Sequence, residues 1–398
     1  MNEKNLMRRV ALPTVAAIVI ALVSPAIAGP REQAKRMHDR LAGVPPSSST
    51  LDSMAALIAA GNPKSAADVA IDSSAFYSVT LKNMVTPWTN RDQTVFEPLN
   101  DYVATVIGMI RDNVPFTEAL SADILYVASN SLNVPPYSMV NNDHYEALET
   151  SGADLRNGLV RVTQSSVTDL PSEATAGLMT TRAGAKAFFV AGTNRAMLRF
   201  TLMNHLCNDL EQLKDVTRSP DRIRQDVTRS PGGDSRIFLN ACVGCHSGMD
   251  PLAQAFAYYD FDETLGRIVY NGVGFVDPES STRVQGKYLI NSDSFPYGFV
   301  TTDDRWDNYW RAGQNSSLGW DTTLASGGNG AKSLGTELAR SDAFARCQVR
   351  KVFKTVCLRE PTDTADNARF EQIVTAFKAS NYSMKEAFSE SAVYCMGD

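Results

Sequence analysis

The chain has 398 residues, 43% hydrophobic and 21% charged, with a formal charge of −6 at pH 7. This is a globular composition, large enough to bury one big core or two ordinary ones. Its acidic balance argues against nucleic acid or an anionic membrane as a partner.

At the N-terminus, Lys4, Arg8 and Arg9 form a positive region, residues 10–23 are apolar, and Ala26-Ile27-Ala28 has a small-x-small pattern. Together these predict a secretory signal peptide over residues 1–28 and a mature chain from Gly29. The apolar run is shorter than the ~20 residues a spanning helix needs and contains Pro13, so a membrane anchor is the weaker reading. No later stretch is apolar enough to span, and the mature chain is expected to be soluble and not membrane-spanning. Arg8-Arg9 lack the rest of a twin-arginine pattern, which points to the general secretory route and a periplasmic or otherwise exported protein.

Residues 29–214 read as a helical N-terminal region. Residues 31–42 are a helix ended by Gly43 and Pro45-Pro46, residues 51–60 a second stopped by Gly61 and Pro63, and Ser65 starts a third. Residues 86–90 read as a loop and 102–112 as a helix by apolar spacing. Residues 117–128 predict another helix, with Thr117 as its N-cap. Pro135-Pro136 and Asn141-Asn142-Asp143 mark a long loop, and helical periodicity resumes over 185–214.

Residues 215–235 form an Arg-rich linker with a near-repeat, Asp215-Val-Thr-Arg-Ser-Pro220 and Asp226-Val-Thr-Arg-Ser-Pro231. Its arginines, Arg218, Arg222, Arg224 and Arg229, together with Arg236, have the chemistry to clamp carboxylates bidentately. A solvated surface linker is the favoured reading.

Residues 236–398 hold the most specific signal, Cys242-Val-Gly-Cys-His246. Cys-x-x-Cys-His is the attachment pattern of a c-type haem, in which the two thiols add to the vinyl groups and the histidine binds the iron. One helical turn presents both sulfurs to one porphyrin edge and brings the imidazole under the metal. A zinc reading would need a second ligand pair at comparable spacing, and a thioredoxin-like pair would need a βαβ context and no histidine. Cys242 and Cys245 are therefore expected to carry one covalent haem c, with His246 as the proximal iron ligand.

The other four cysteines, Cys207, Cys347, Cys357 and Cys395, predict two disulfides in an exported chain. Cys347 and Cys357 fall on one helix about 15 Å apart, too far to bridge each other, so each needs a partner among Cys207 and Cys395. For the distal iron ligand, Met249 lies only three residues past His246, on the proximal side. His205, on a predicted helix just before the haem region, is the first candidate.

Past the motif, Phe256, Tyr258, Tyr259 and Phe261 read as apolar packing. Residues 265–335 carry few helix signals, with short strands expected at 288–290 and 299–301. Helices are expected over 336–357 and 365–379, and a last one from Ser383. The fold class is mainly α, with a loop-rich insertion in the haem region. No Gly-x-Ser-x-Gly, His-Glu-x-x-His, phosphate-binding or dinucleotide pattern is present, and no catalytic residue is assigned.

The run Cys242-Val-Gly-Cys-His-Ser-Gly-Met-Asp-Pro251, followed by Tyr259-Asp-Phe-Asp262 and Gly266-Arg267, resembles the haem-attachment module of the large cytochrome-containing proteins of planctomycetes and related bacteria. Residues 338–347 look like the start of the helical module that follows it there, and residues 40–46 and 112–116 are similar to landmarks of the preceding helical domains. The chain departs in being much shorter and in having Gly248-Met249 inside the haem loop. The resemblance implies haem binding and electron transfer with a redox partner protein, and names no substrate. The expectation is an exported monohaem c-type cytochrome, more an electron carrier than a catalyst. Its alternatives are a haem enzyme of peroxidase or oxygenase type with an open distal site, and a non-redox structural or adaptor protein that uses haem as a folding staple.

Overall fold

The computed structural model describes residues 28–397, so the signal sequence expected over 1–28 lies almost wholly outside the described residues. Helices dominate: α1 (Pro30–Ala42), α2 (Ser48–Ala59), α3 (Pro63–Ile71), α4 (Asp101–Arg111), α5 (Val243–Ala253), α6 (Gly330–Ala339), α7 (Asp342–Cys357), α8 (Thr364–Ala379) and α9 (Met384–Cys395), with shorter helical turns between them. Strands occur as three antiparallel pairs, β1 (Leu125–Ala128) with β2 (Leu159–Val162), β3 (Tyr259–Asp262) with β4 (Arg267–Tyr270), and β5 (Arg305–Asp307) with β6 (Gly327–Asn329). The protein is mainly α. No helix among the described residues is long and apolar enough to cross a membrane.

The centre is α4, in which every residue from Asp101 to Ile110 is buried. Apolar side chains all round this helix leave it no face for water, so it can only be a core helix. Asn100 caps it by accepting from the Val103 N–H. Helices α1 to α3 pack on one another, and the C-terminal helices return to them, α9 lying on α1, α3, α7 and α8. One apolar core therefore includes Met37 and Leu41 near the start, Met249 and Leu252 in α5, and Phe388 near the end.

All four remaining cysteines are paired, Cys207 with Cys347 (Cα–Cα 5.2 Å) and Cys357 with Cys395 (Cα–Cα 5.4 Å). As helix length required, Cys347 and Cys357 sit at different heights of α7 and find separate partners. The first bond ties the segment before the Arg-rich stretch to α7, and the second closes α7 onto α9.

Several elements differ from the sequence expectation. Residues 117–128 are not a helix: a 3-10 turn, Phe116–Leu120, is followed by β1. Ile124-Leu125-Tyr126-Val127 is a β-branched and aromatic run, and pairing with β2 overrides the weak helical spacing. The long helix expected over 185–214 is cut at Ala191, Gly192 and Asn194, all at positive φ, giving Arg182–Phe188, Arg195–Thr201 and a π-turn Leu202–Leu206. Residues 336–357 form two helices because Ser341 caps a new one by accepting from the Phe344 N–H. Residues 286–289 make a 3-10 turn, and near 299 there is only one bridge, Phe299 to Arg224.

The shorter disulfide gives a direct stability test. Its sequence separation of 38 residues should contribute about 4 kcal/mol through loop closure. The Cys357→Ala/Cys395→Ala variant should lose that much in urea denaturation, whereas an unchanged midpoint would mean that the bond does not stabilise the protein.

Candidate functional site

The Cys-x-x-Cys-His motif sits on one nearly continuous helical run. Asp234 caps its start by accepting from the Arg236 N–H, Ser235–Ile237 opens it, Phe238–Cys242 forms a π-turn, and α5 follows without a break. A π-turn of this kind is a common mark of functional positions in helices. Cys242, Cys245 and His246 are spaced three and four residues apart, so they share one face of the run. Both cysteines are free and half-buried, and the His246 side chain is 21% exposed. Leu239, three residues before Cys242, is 57% exposed on the same face.

Past the motif, α5 is fixed to the body. Gly248 is there because Trp310 is: a Cβ at this position would lie 2.0 Å from Trp310 Nε1. Met249 and Leu252 lie in the core, which takes Met249 out of reach of any iron held by His246. The Gly248-Met249 pair that departs from the resembled module is thus a packing feature of this fold.

Burial pushes the Cys245 thiol up, and the Glu211 carboxylate adds to the effect. Its Sγ lies 3.5 Å from the Leu210 carbonyl. A reactive thioredoxin-type cysteine needs its thiol shifted in the other direction. Among the described residues no group of three His, Cys, Asp or Glu side chains is placed to hold a metal ion.

His246 Nδ1 lies 3.1 Å from Asp250 Oδ1, one turn along α5. The Asp250 side chain is wholly buried. Arg195 holds it with a fork, Nε to Oδ1 at 2.7 Å and Nη2 to Oδ2 at 2.9 Å, and the Arg224 backbone N–H donates to Oδ2 at 3.2 Å. Burial alone would raise the carboxyl, but Arg195 and then His246 hold it well below the usual carboxylate range. Asp250 therefore stays ionised and accepts a hydrogen bond from Nδ1–H, which leaves the Nε2 lone pair for a metal. Arg195 is in turn forked by Asp226, with Nη1 on Oδ2 and Nη2 on Oδ1. Burial opposes the Arg195 charge, but Asp250 and Asp226 outweigh it and hold its pKa above the ordinary arginine value.

The Arg-rich stretch is not a solvated linker. Arg222 is buried, binds Asp307 and lies over the Phe299 ring at 4.5 Å. Arg224 is 2% exposed, binds Thr193 and lies over Tyr288 at 4.8 Å. Arg229 lies between the rings of Phe238 and Phe295 and donates to the Val227 and Ile223 carbonyls. Arg236 is exposed and pairs with Asp234, and Arg218 pairs with Asp215. These arginines fold the stretch down onto residues 295–307 and onto the start of the motif helix.

His205 is not brought to the motif. Its Nε2 lies 2.7 Å from the Tyr102 hydroxyl, and its ring packs on Trp88 and Phe344. The neighbouring cavity, about 10 Å³, has no room for a porphyrin. Burial, then the charge of Lys351, lowers its pKa well below the ordinary histidine value, so the ring is neutral. The expectation of His205 as distal ligand is not met by this arrangement, because Nε2 is engaged by Tyr102 and the whole ring is enclosed in the core.

Cys242, Cys245 and His246 were legible as a motif, whereas Arg195 and Asp226 were not, since neither is near it in sequence. The Asp-Pro that follows the motif was the available signal for Asp250. No protein-family model matches the chain, and no curated protein or solved structure matches it at a significant level.

The contact between Gly248 and Trp310 carries a prediction. Gly248→Ala should destabilise the protein by about 1–3 kcal/mol through overpacking, measured by urea denaturation. A midpoint equal to the parent's would show that the two groups are not in close contact.

Proposed function

We propose that this chain is an exported monohaem c-type cytochrome acting in electron transfer. The observation that carries the reading is the pair of unbridged cysteines on one helix face with His246, whose Nδ1 is tied to a buried carboxylate while its Nε2 is left for iron. The other four cysteines are paired with one another, so these two thiols are kept out of the disulfide framework. The residues fit the group: Cys242 and Cys245 would hold it through thioethers, His246 would bind its iron, and the exposed Leu239 would cover part of its apolar edge.

When bound, the haem supplies one-electron exchange at its iron. The protein's share is to hold His246 in one orientation, to keep its Nδ1 proton on the Asp250 side, and to leave the motif face open to a redox partner protein. Two disulfides fit an oxidising, exported location, periplasmic in this reading.

A second reading, a haem enzyme with an open distal site, is favoured by one specific observation. The sequence-based distal candidate, His205, is bound to Tyr102 in the core, and a carboxylate behind the proximal histidine strengthens its donation to the metal. The folding-staple reading has no such observation in its favour.

The optical spectrum of the protein co-expressed with haem-attachment machinery tests these readings. A low-spin spectrum unmoved by carbon monoxide supports the electron carrier, while a high-spin ferric form that binds carbon monoxide supports the enzyme. Cys242→Ala and Cys245→Ala should each weaken haem retention, and His246→Ala should alter or abolish the iron site. Variants with parental haem content and spectrum would overturn the assignment.

A further inference from the structure

The hydrogen-bond chain that ends on His246 does not stop at Asp250. A carboxylate on its own turns freely about its Cβ–Cγ bond, but both Asp250 oxygens are fixed, Oδ2 by Arg195 Nη2 and the Arg224 N–H, Oδ1 by Arg195 Nε. Arg195 is held in its plane by the two oxygens of Asp226 on its other side. The result is a line of four groups, Asp226, Arg195, Asp250 and His246, drawn from three separate stretches of chain.

We propose that Asp226 and Arg195 are positioning residues for the His246 iron ligand, acting through Asp250 without touching the haem. This rests on the reading of His246 as the proximal ligand. Arg195 divides its positive charge between two carboxylates, so Asp250 keeps enough negative charge to accept firmly from Nδ1. The fork also aims Oδ1 at the imidazole, which fixes both the ring orientation and the nitrogen that carries the proton. Such a partner makes the imidazole a stronger donor and favours the ferric state.

Asp226→Asn is the informative change, because it keeps the shape and removes one charge. Arg195 would then draw on Asp250 alone, the carboxylate would accept less strongly from His246, and the ligand would become a weaker donor. Arg195→Lys is the companion change. It keeps the charge but loses the planar fork, so the carboxylate is free to turn.

Two measurements test the proposal. In the haem-free protein, long-range ¹⁵N–¹H correlation of the His246 ring should show the Nδ1–H form in the parent and a loss of that form in both variants, with circular dichroism confirming that each is folded. In the haem-loaded protein, the reduction potential should rise in Asp226→Asn. Glu371→Gln, which alters an exposed ion pair between α8 and Arg346 of α7, should move neither. An unchanged His246 tautomer in folded Asp226→Asn and Arg195→Lys would overturn the proposal. Failure of the parent to take up covalent haem would instead reject the cytochrome reading, and the haem-free tautomer result would still decide whether Asp226 and Arg195 position His246.

Discussion

The buried carboxylate of Asp250 is the constraint around which the site is built. Removing a carboxylate from water costs several kcal/mol even after relaxation, and that cost is offset only when each oxygen finds good donors. Asp250 finds four contacts: two from Arg195, one from the Arg224 backbone and one from His246. Three of them come from outside α5. The segment starting at Arg195 and the stretch around Arg224 must therefore both be in place before α5 can carry an ionised Asp250. Once they are, His246 has a single orientation. The Arg-rich stretch looks expendable in sequence, yet it supplies the Arg224 N–H and Asp226 and is itself tied to Asp307 through Arg222.

The size of the body follows from how α5 is held past the motif. There Trp310 lies against Gly248 while Met249 and Leu252 enter the main core. That core runs without interruption to the C-terminal helices, which return to α1 and α3 and are fastened there by the Cys357–Cys395 bond between α7 and α9. The Cys207–Cys347 bond joins the segment just before the Arg-rich stretch to α7, with a sequence separation of 140 residues. Movement of the motif helix relative to the body would have to break close packing as well as the buried ion network.

Much of the helical body was legible because its signals are local. Gly43, Pro63 and Ser383 end or begin helices by backbone chemistry that a sequence displays directly. The division of Cys347 and Cys357 between two disulfides followed from the rise of one helix. What could not be read depended on distant partners. The run 124–127 becomes a strand because residues 159–162 lie beside it, and the break at 191–194 places non-glycine residues at positive φ that only the folded context selects. The same division holds for the site. Cys242, Cys245 and His246 are close in sequence, while Arg195 reaches Asp250 across 55 residues and carries no local signal beyond helical periodicity. His205 is the converse case. It had the right residue type and a plausible place in the chain, but Tyr102, Trp88 and Phe344 enclose it in the core.

In the proposed reading, the ordered structure of this protein is concentrated on the proximal side of the haem. Swinging His205 out to an iron would break its bond to Tyr102 and its packing on Phe344, and would open the core next to the Cys207–Cys347 bond, since Gln348 also donates to the His205 carbonyl. Those costs fall together and nothing at the motif face offsets them. The proximal side, by contrast, has a ligand whose orientation and proton are both fixed by charge. A carboxylate-backed imidazole stabilises the ferric iron and lowers the potential, and because Arg195 shares its charge between Asp226 and Asp250 the carboxylate would keep that effect. In that reading the same arrangement would set the potential of an electron carrier from behind the haem and leave the other side to a partner.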